Sequence, residues 1–275
     1  MHKKIAIQGF EGCFHQEAAR QFFGKNTEAV CCASFRELFK KASLKQETDG
    51  AVMAIENSIA GSILPNYTLL QKSNLRIVGE VYLQIRQHLM VNPGVQLDAI
   101  REVHSHPMAL LQCGDFLDKH GFKLVETEDT ALSARHVQQH RSRHIAAIAG
   151  KLAAELYGLE IIAPNIHTQK SNYTRFLVLE RMQEAQPVEG ADKASVNFFV
   201  SHTRGSLARV LTKIADAGVN LSKLQSMPIP GTDFSYSFHA DLEFEREQQL
   251  RKTITLIQPL VQELLVLGIY KKGKR

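Results

Sequence analysis

Short apolar runs bounded by glycine and polar clusters alternate with helix-length amphipathic stretches through the first two thirds of the chain. "KKIAIQG" reads as a strand, "FHQEAARQFFG" as a helix, "TEAVCCA" as a strand and "SFRELFKKAS" as a helix whose start carries a capping box, Ser34 with Glu37. "GAVMAIENS" gives the next strand, and a helix follows from about Ser62 to Gln71. This alternation predicts α/β layers with a largely parallel sheet.

The rhythm then changes. "NLRIVGEVYLQIRQHLMVN" is a long extended region with few helix signals, suited to carry the chain from one lobe to another. A second α/β stretch follows: strands in "IREVHSH", "FKLVET" and "HIAAIAG", and helices over Pro107 to about His120, near Asp129 to Gln139, and in "KLAAELYG". Two lobes around a cleft are expected, and ligands favour such clefts. "RMQEAQPVEGADK" is polar and aperiodic and reads as a linker. Beyond it come the strand "ASVNFFVS", the helix "GSLARVLTKIADAG" closed by Gly218, and the strand "VNLSKLQSMP". Phe234, Tyr236, Phe238, Ala240, Leu242 and Phe244 then recur at period two, predicting a half-buried strand. A helix from about Arg246 to Leu265 and a last strand near "LVLGIY" complete a ferredoxin-like βαββαβ order.

Length and composition narrow the class. At 275 residues the chain exceeds one usual core, and 44% hydrophobic with 22% charged residues describes a folded globular protein. No window approaches a membrane-spanning length, and "MHKKIAIQGF" is too short in apolar residues for a signal peptide, so a cytoplasmic location is expected. Cys13, Cys31, Cys32 and Cys113 show no CxxC spacing and read as reduced thiols. The net charge of +5 sits largely in "RHVQQHRSRH" and "YKKGKR", without interleaved aromatics, so neither nucleic acid nor membrane is expected as a partner. A small anionic substrate fits that charge.

Four polar clusters interrupt the apolar pattern at strand ends, where open α/β folds place ligand sites. In "GFEG", Gly9 and Gly12 either present amides to an anion or simply permit a tight turn. "IENSIAGS" crowds Glu56, Asn57 and Ser58 before Gly61, and turn or capping roles compete with binding. In "SHP", Ser105 or His106 caps a helix with Pro107 in its first turn and Gln112 about two turns in. His104 and His106 lack the partners of a metal site, and no GxSxG elbow supports a serine hydrolase. In "NYTRFLVLE", alternation places Thr174 and Arg175 on opposite faces of a strand, with Phe176 on the Thr174 side; a bend at the strand entrance would let both meet one ligand.

Together these clusters resemble the prephenate dehydratases, over about Lys4 to Tyr270. The family's GPxG turn corresponds to "GFEGCFHQEAA", with Gly9, Gly12, Phe14, Ala18 and Ala19 kept, Phe10 in place of proline, and Cys13 and His15 at hydroxyl positions. PIENS corresponds to "AIENS", SHPxAxxQC to "SHPMALLQC" through Cys113, and TRF to Thr174, Arg175 and Phe176. The C-terminal module resembles an ACT domain in which PGAL has become "RGSL" and ESRP has become "QSMP", removing a Glu and an Arg that help hold the effector.

The resemblance implies an α/β, two-lobed, periplasmic-binding-protein-like catalytic domain with a cleft over 1–181, lobe 1 being about 1–80 plus 163–181 and lobe 2 about 81–162. A linker over 182–193 and a ferredoxin-like ACT regulatory domain over 194–275 would follow. It implies conversion of prephenate to phenylpyruvate with loss of water and carbon dioxide, without cofactor or metal. Thr174, Glu56, Asn57, Ser105 and Gln112 would serve catalysis, and Arg175, Phe176, Ser58, Gly61 and Gly12 would bind substrate. Gly205, Ser206, Leu207, Asn220, Leu221, Gln225 and Ser226 would form the regulatory site, with L-phenylalanine as effector and a homodimer or homotetramer as the assembly. Arogenate as substrate, or a non-catalytic small-molecule sensor, are the rival readings.

Overall fold

A computed structural model describes residues 3–229, 231 and 235–274. It divides into two units: one runs up to Ser62 and resumes over Val81–Phe176, and the other comprises Ile63–Glu80 and Leu177–Lys274.

The first unit holds two sheets. Its first lobe is built from β1 (Lys4–Gln8), α1 (Phe14–Phe23), β2 (Glu28–Cys32), α2 (Phe35–Ala42), β3 (Gly50–Asn57) and β4 (Gly61–Ser62). β1 lies between β2 and β3, parallel to both. Ile5, Ala6 and Ile7 are all fully buried, as a continuous apolar run must be when both faces of a parallel sheet are covered. Half of the expected capping box forms at α2: Ser34 Oγ accepts from Glu37 N at 3.2 Å, while Glu37 Oε2 reaches one residue past the N-cap and accepts from Ala33 N. β4 folds back antiparallel on β3, with Asn57 opposite Gly61.

The helix expected from Ser62 starts later, as α3 (Leu64–Gln71), because Gly61 and Ser62 are taken by that hairpin; α3 and most of β5 (Leu75–Gln84) belong to the second unit. The second lobe of the first unit contains β6 (His88–Val91), β7 (Glu102–Ser105), α4 (Pro107–Gln112), α5 (Gly114–Leu117), β8 (Lys123–Glu126), α6 (Thr130–Gln139), β9 (Ile145–Ala149), α7 (Lys151–Tyr157) and β10 (Glu160–Ala163). Its sheet order is β10-β6-β9-β7-β8, around a core that includes Leu89, Val103, Leu110, Leu117 and Ile148. One helix was expected from Pro107 to His120. Two short ones form, because Cys113 leaves helical geometry (φ −107, ψ 14) just before Gly114, a weak helix former.

β11 (Tyr173–Arg181) then lies beside β3, and its residues through Phe176 belong to the first unit. The second unit adds β12 (Lys193–Phe199), α8 (Ser206–Asp216), β13 (Asn220–Pro228), β14 (Tyr236–Glu243), α9 (Glu247–Ile257) and β15 (Glu263–Tyr270), the βαββαβ order read from the sequence. Its strands run β13-β14-β12-β15-β5, and Gly268 of β15 stands opposite Ile77 of β5. That packing draws Ile63–Glu80, expected in the first lobe, into the C-terminal unit.

Two expectations change here. The last helix stops at Ile257, since Pro259 supplies no backbone N–H, and Glu263–Leu265 instead pair with Asn197–Phe199 of β12. β14 is not half-exposed: Ala240 and Leu242 enter one core while Ser237, His239 and Asp241 are buried on the other face. β14 is enclosed between β12 and β13. Phe234, also assigned to this strand, lies outside the described residues.

The buried polar face of this sheet is held by charge. Lys193 Nζ lies 3.1 Å from both carboxylate oxygens of Glu80 and 3.9 Å from Asp241, and Asp241 accepts from Ser195 Oγ at 2.6 Å. Removing this ammonium would take the charge that Lys193 supplies away from two fully buried carboxylates. Lys193→Met is expected to lower the unfolding free energy by about 3–5 kcal/mol, measured by urea titration; an unchanged midpoint would contradict this account.

Candidate active site

Asn57 ends β3, and its side chain is oriented by its own turn: Oδ1 accepts the backbone N–H groups of Ile59 and Ala60, each at 2.9 Å. Nδ2 must therefore be the donor. It reaches Asn172 Oδ1 at 2.8 Å, Thr174 Oγ1 at 3.0 Å and Tyr173 O at 3.3 Å. Asn172 Nδ2 in turn donates to Gln112 Oε1 at 3.1 Å. A polar chain thus runs from Gln112 at the end of α4, in the second lobe, through Asn172 and Asn57 to Thr174. Because Thr174 Oγ1 accepts from Asn57, its own hydroxyl hydrogen is available to another acceptor.

Thr174 is 8% exposed, Arg175 4% and Phe176 1%. The strand runs continuously from Tyr173 to Arg181, so Thr174 is its second residue. Both of its faces are covered, so opposite faces do not here mean core and solvent.

Ser58 fastens the same place from the main chain: its N–H donates to Tyr173 O at 2.8 Å and its Oγ accepts from Tyr173 N at 3.0 Å. Glu56 is half-buried opposite Ser62 in the β3–β4 hairpin, and Gly61 takes positive φ (+82) in the same hairpin. The geometry gives other members of the expected set structural occupations. Ser105 is fully buried and donates to Ile148 O at 2.6 Å, tying β7 to β9. His106, rather than Ser105, caps α4, its Nδ1 accepting from Met108 N. Gly12 N donates to Gln16 Oε1 at 2.6 Å, so that amide is not offered to an anion. Gly12 instead permits close approach: at φ +90, a β-carbon there would stand 2.9 Å from Ala153 Cα of α7.

Two participants escaped the sequence reading. Asn172, the link between Gln112 and Asn57, opens the "NYTRFLVLE" stretch two residues before the threonine, but no role was read for it. His15, at a position where a hydroxyl was expected, accepts from Ala54 N of β3 at 3.2 Å and packs edge-on against Phe176. Away from the cleft, Gly205 caps α8 at positive φ and Ser206 is buried among Ser201 and Thr203 hydroxyls. Leu207 packs against the C-terminal core, while Asn220, Leu221, Gln225 and Ser226 lie on β13, at the edge of the sheet. A cavity of about 350 Å³ lies beside this loop, lined by Ser201, His202, Arg204, Leu207, Tyr236 and Phe238 among others.

Burial pushes His15 down to about 3, and lowers His88 and His167 as well. The last two accept amides across the crossing segments, His88 Nδ1 from Asn165 N and His167 Nδ1 from Gln87 N. All three rings take up protons more readily in the unfolded chain, so the stability they contribute is full above about pH 6.5 and is lost as pH falls toward the folded values. Asp129, pushed up by burial, works in the opposite sense over the carboxylate range. Urea titrations from about pH 7 down to about pH 5 are expected to show falling stability, and a His15→Gln variant a shallower fall; a flat profile would contradict burial of neutral rings.

Among the described residues no helix is long and apolar enough to cross a membrane, and no group of His, Cys, Asp and Glu is disposed to hold a metal. The family model described as prephenate dehydratase matches residues 5–184. The chain is 35% identical over 277 residues to arogenate dehydratase/prephenate dehydratase 2, chloroplastic, of Arabidopsis thaliana, spanning 97% of this chain and 72% of that one. Among solved structures it is similar to GqqA, described as a novel type of quorum quenching acylase (30% identity, TM-score 0.88, 98% of each chain). It is similar also to prephenate dehydratase from Arthrobacter aurescens in complex with L-Phe (26% identity, TM-score 0.86, 98% of this chain and 90% of that one). With the motifs gathered around Asn57 and the family match spanning well over half its length, the chain belongs to the prephenate dehydratase family of lyases.

Proposed function

We propose that the chain dehydrates and decarboxylates a 4-hydroxycyclohexadienyl acid, arogenate ahead of prephenate. The observation that carries this reading is the hydrogen-bond chain Gln112–Asn172–Asn57–Thr174, which leaves the Thr174 hydroxyl free to donate. The C4–hydroxyl bond breaks as the hydroxyl takes the proton of Thr174 Oγ1 and leaves as water, and Thr174 regains a proton from solvent, so that the reaction consumes one proton overall. The bond to the ring carboxylate breaks as carbon dioxide departs, and its electron pair completes the aromatic ring. Aromatisation supplies most of the driving force, so a weak acid held in place suffices. Arg175, with its planar fork, pairs with a substrate carboxylate.

Arogenate is placed first for two reasons. The named plant relative carries both activities in its name. Glu56 also stands at the same strand end, where a carboxylate suits a substrate bearing an ammonium group better than one bearing only two negative charges. Arogenate would yield phenylalanine and prephenate phenylpyruvate. The acylase named for GqqA is the second reading, favoured by that structural similarity. It meets no activated thiol here, since burial pushes the Cys13 thiol up and that of Cys113 to about 12.

Purified protein is expected to release phenylalanine from arogenate, and more slowly phenylpyruvate from prephenate; inactivity on both would refute the proposal. Thr174→Ala should lose about 10²–10⁴ in turnover, and Arg175→Lys should raise KM because a point charge cannot reproduce the fork. Wild-type constants in either variant would remove that residue from its role. The four residues "QSMP" carry neither of the charges of the Glu and Arg they replace, so millimolar L-phenylalanine is expected to leave the rate unchanged; strong inhibition would show that the family's Glu and Arg are dispensable here.

A further inference from the structure

β1 pairs with β3 over Gly50 to Val52, after which the chain turns away through Gly9. Two residues further along β3, the backbone N–H of Ala54 donates to His15 Nε2 at 3.2 Å. A histidine on α1 therefore continues the hydrogen bonding of a strand that has ended. Since Nε2 accepts, the ring proton resides on Nδ1. The same imidazole meets the Phe176 ring edge-on, with centroids 5.0 Å apart and planes at 82°, and leans on Phe35 at 5.7 Å. Ala54 is three residues before Asn57, and Phe176 is two residues after Thr174. One side chain touches both strands whose ends must meet for Asn57 to hold Thr174. A serine or threonine at position 15 has one short arm and could not span both contacts.

We propose that His15 is a positioning residue: it pins α1 to the adjoining strands β3 and β11, and with it holds Thr174 and Arg175 in place against substrate. This rests on the dehydratase reading. Burial keeps the ring neutral, so the acceptor persists at any working pH. Displacing a reacting group by about 1 Å costs on the order of 10²-fold in rate, which sets the scale of the effect.

Turnover of the wild-type chain on arogenate and prephenate is measured first, and that measurement alone judges the dehydratase reading. His15→Ala is then expected to lose about 10- to 100-fold in kcat with KM changed less than about 3-fold. His15→Gln, which keeps an acceptor at similar reach, should recover much of that loss. His15→Phe, which keeps the aromatic contact but not the acceptor, should recover less. Wild-type kcat in His15→Ala, or a loss confined to KM, would overturn the inference. Nitrogen-15 spectra of the wild-type imidazole give a reading that needs no variant to fold. Protonated Nδ1 and unprotonated Nε2 are expected from about pH 5 to 8, and a ring titrating near its ordinary value would equally overturn it.

Discussion

The orientation of one amide, that of Asn57, governs the site. Two backbone N–H groups of its own turn hold its oxygen, and this fixes the nitrogen toward Asn172, Tyr173 and Thr174. Reversing the amide would set Oδ1 against the acceptor oxygens of Asn172 and Tyr173 while breaking the turn, so it has a single low-energy setting. Everything that follows inherits that direction. Thr174 becomes an acceptor toward Asn57 and keeps its hydroxyl hydrogen for another partner, Asn172 passes its own amide to Gln112, and the second lobe is joined to the first by a chain of neutral groups. Neutral donors held in this way orient a charge without neutralising it beforehand.

Much of this was legible in the sequence, for identifiable reasons. The alternation of strands and helices, the cap at Ser34 and the βαββαβ order of the last third all rest on local rules, and those elements formed as read. Failures came where tertiary context overrode a local rule. Period-two logic placed Thr174 and Arg175 on opposing faces and asked for a bend to bring them together, but β11 is covered on both sides and both residues are buried. The same logic exposed one face of β14, where a buried cluster around Lys193 and Asp241 makes a polar face dry. Ser105 fell within a recognised motif, yet its hydroxyl is spent on Ile148 O. A motif marks a neighbourhood, and hydrogen-bond geometry separates the residues that face the cleft from those that hold its walls. Asn172 and His15 show the converse, since the contacts that define them join residues 115 and 39 positions apart.

Gly12 also bears on how the two lobes of the first unit meet. The backbone turn that carries it lies so close to α7 that even a β-carbon would press on Ala153. Its one spare amide hydrogen is already engaged with Gln16. Alanine there would press on the backbone of Ala153 and at the same time force a left-handed φ of +90 on a residue with a side chain, so the turn keeps its closeness to α7 only as long as it carries glycine.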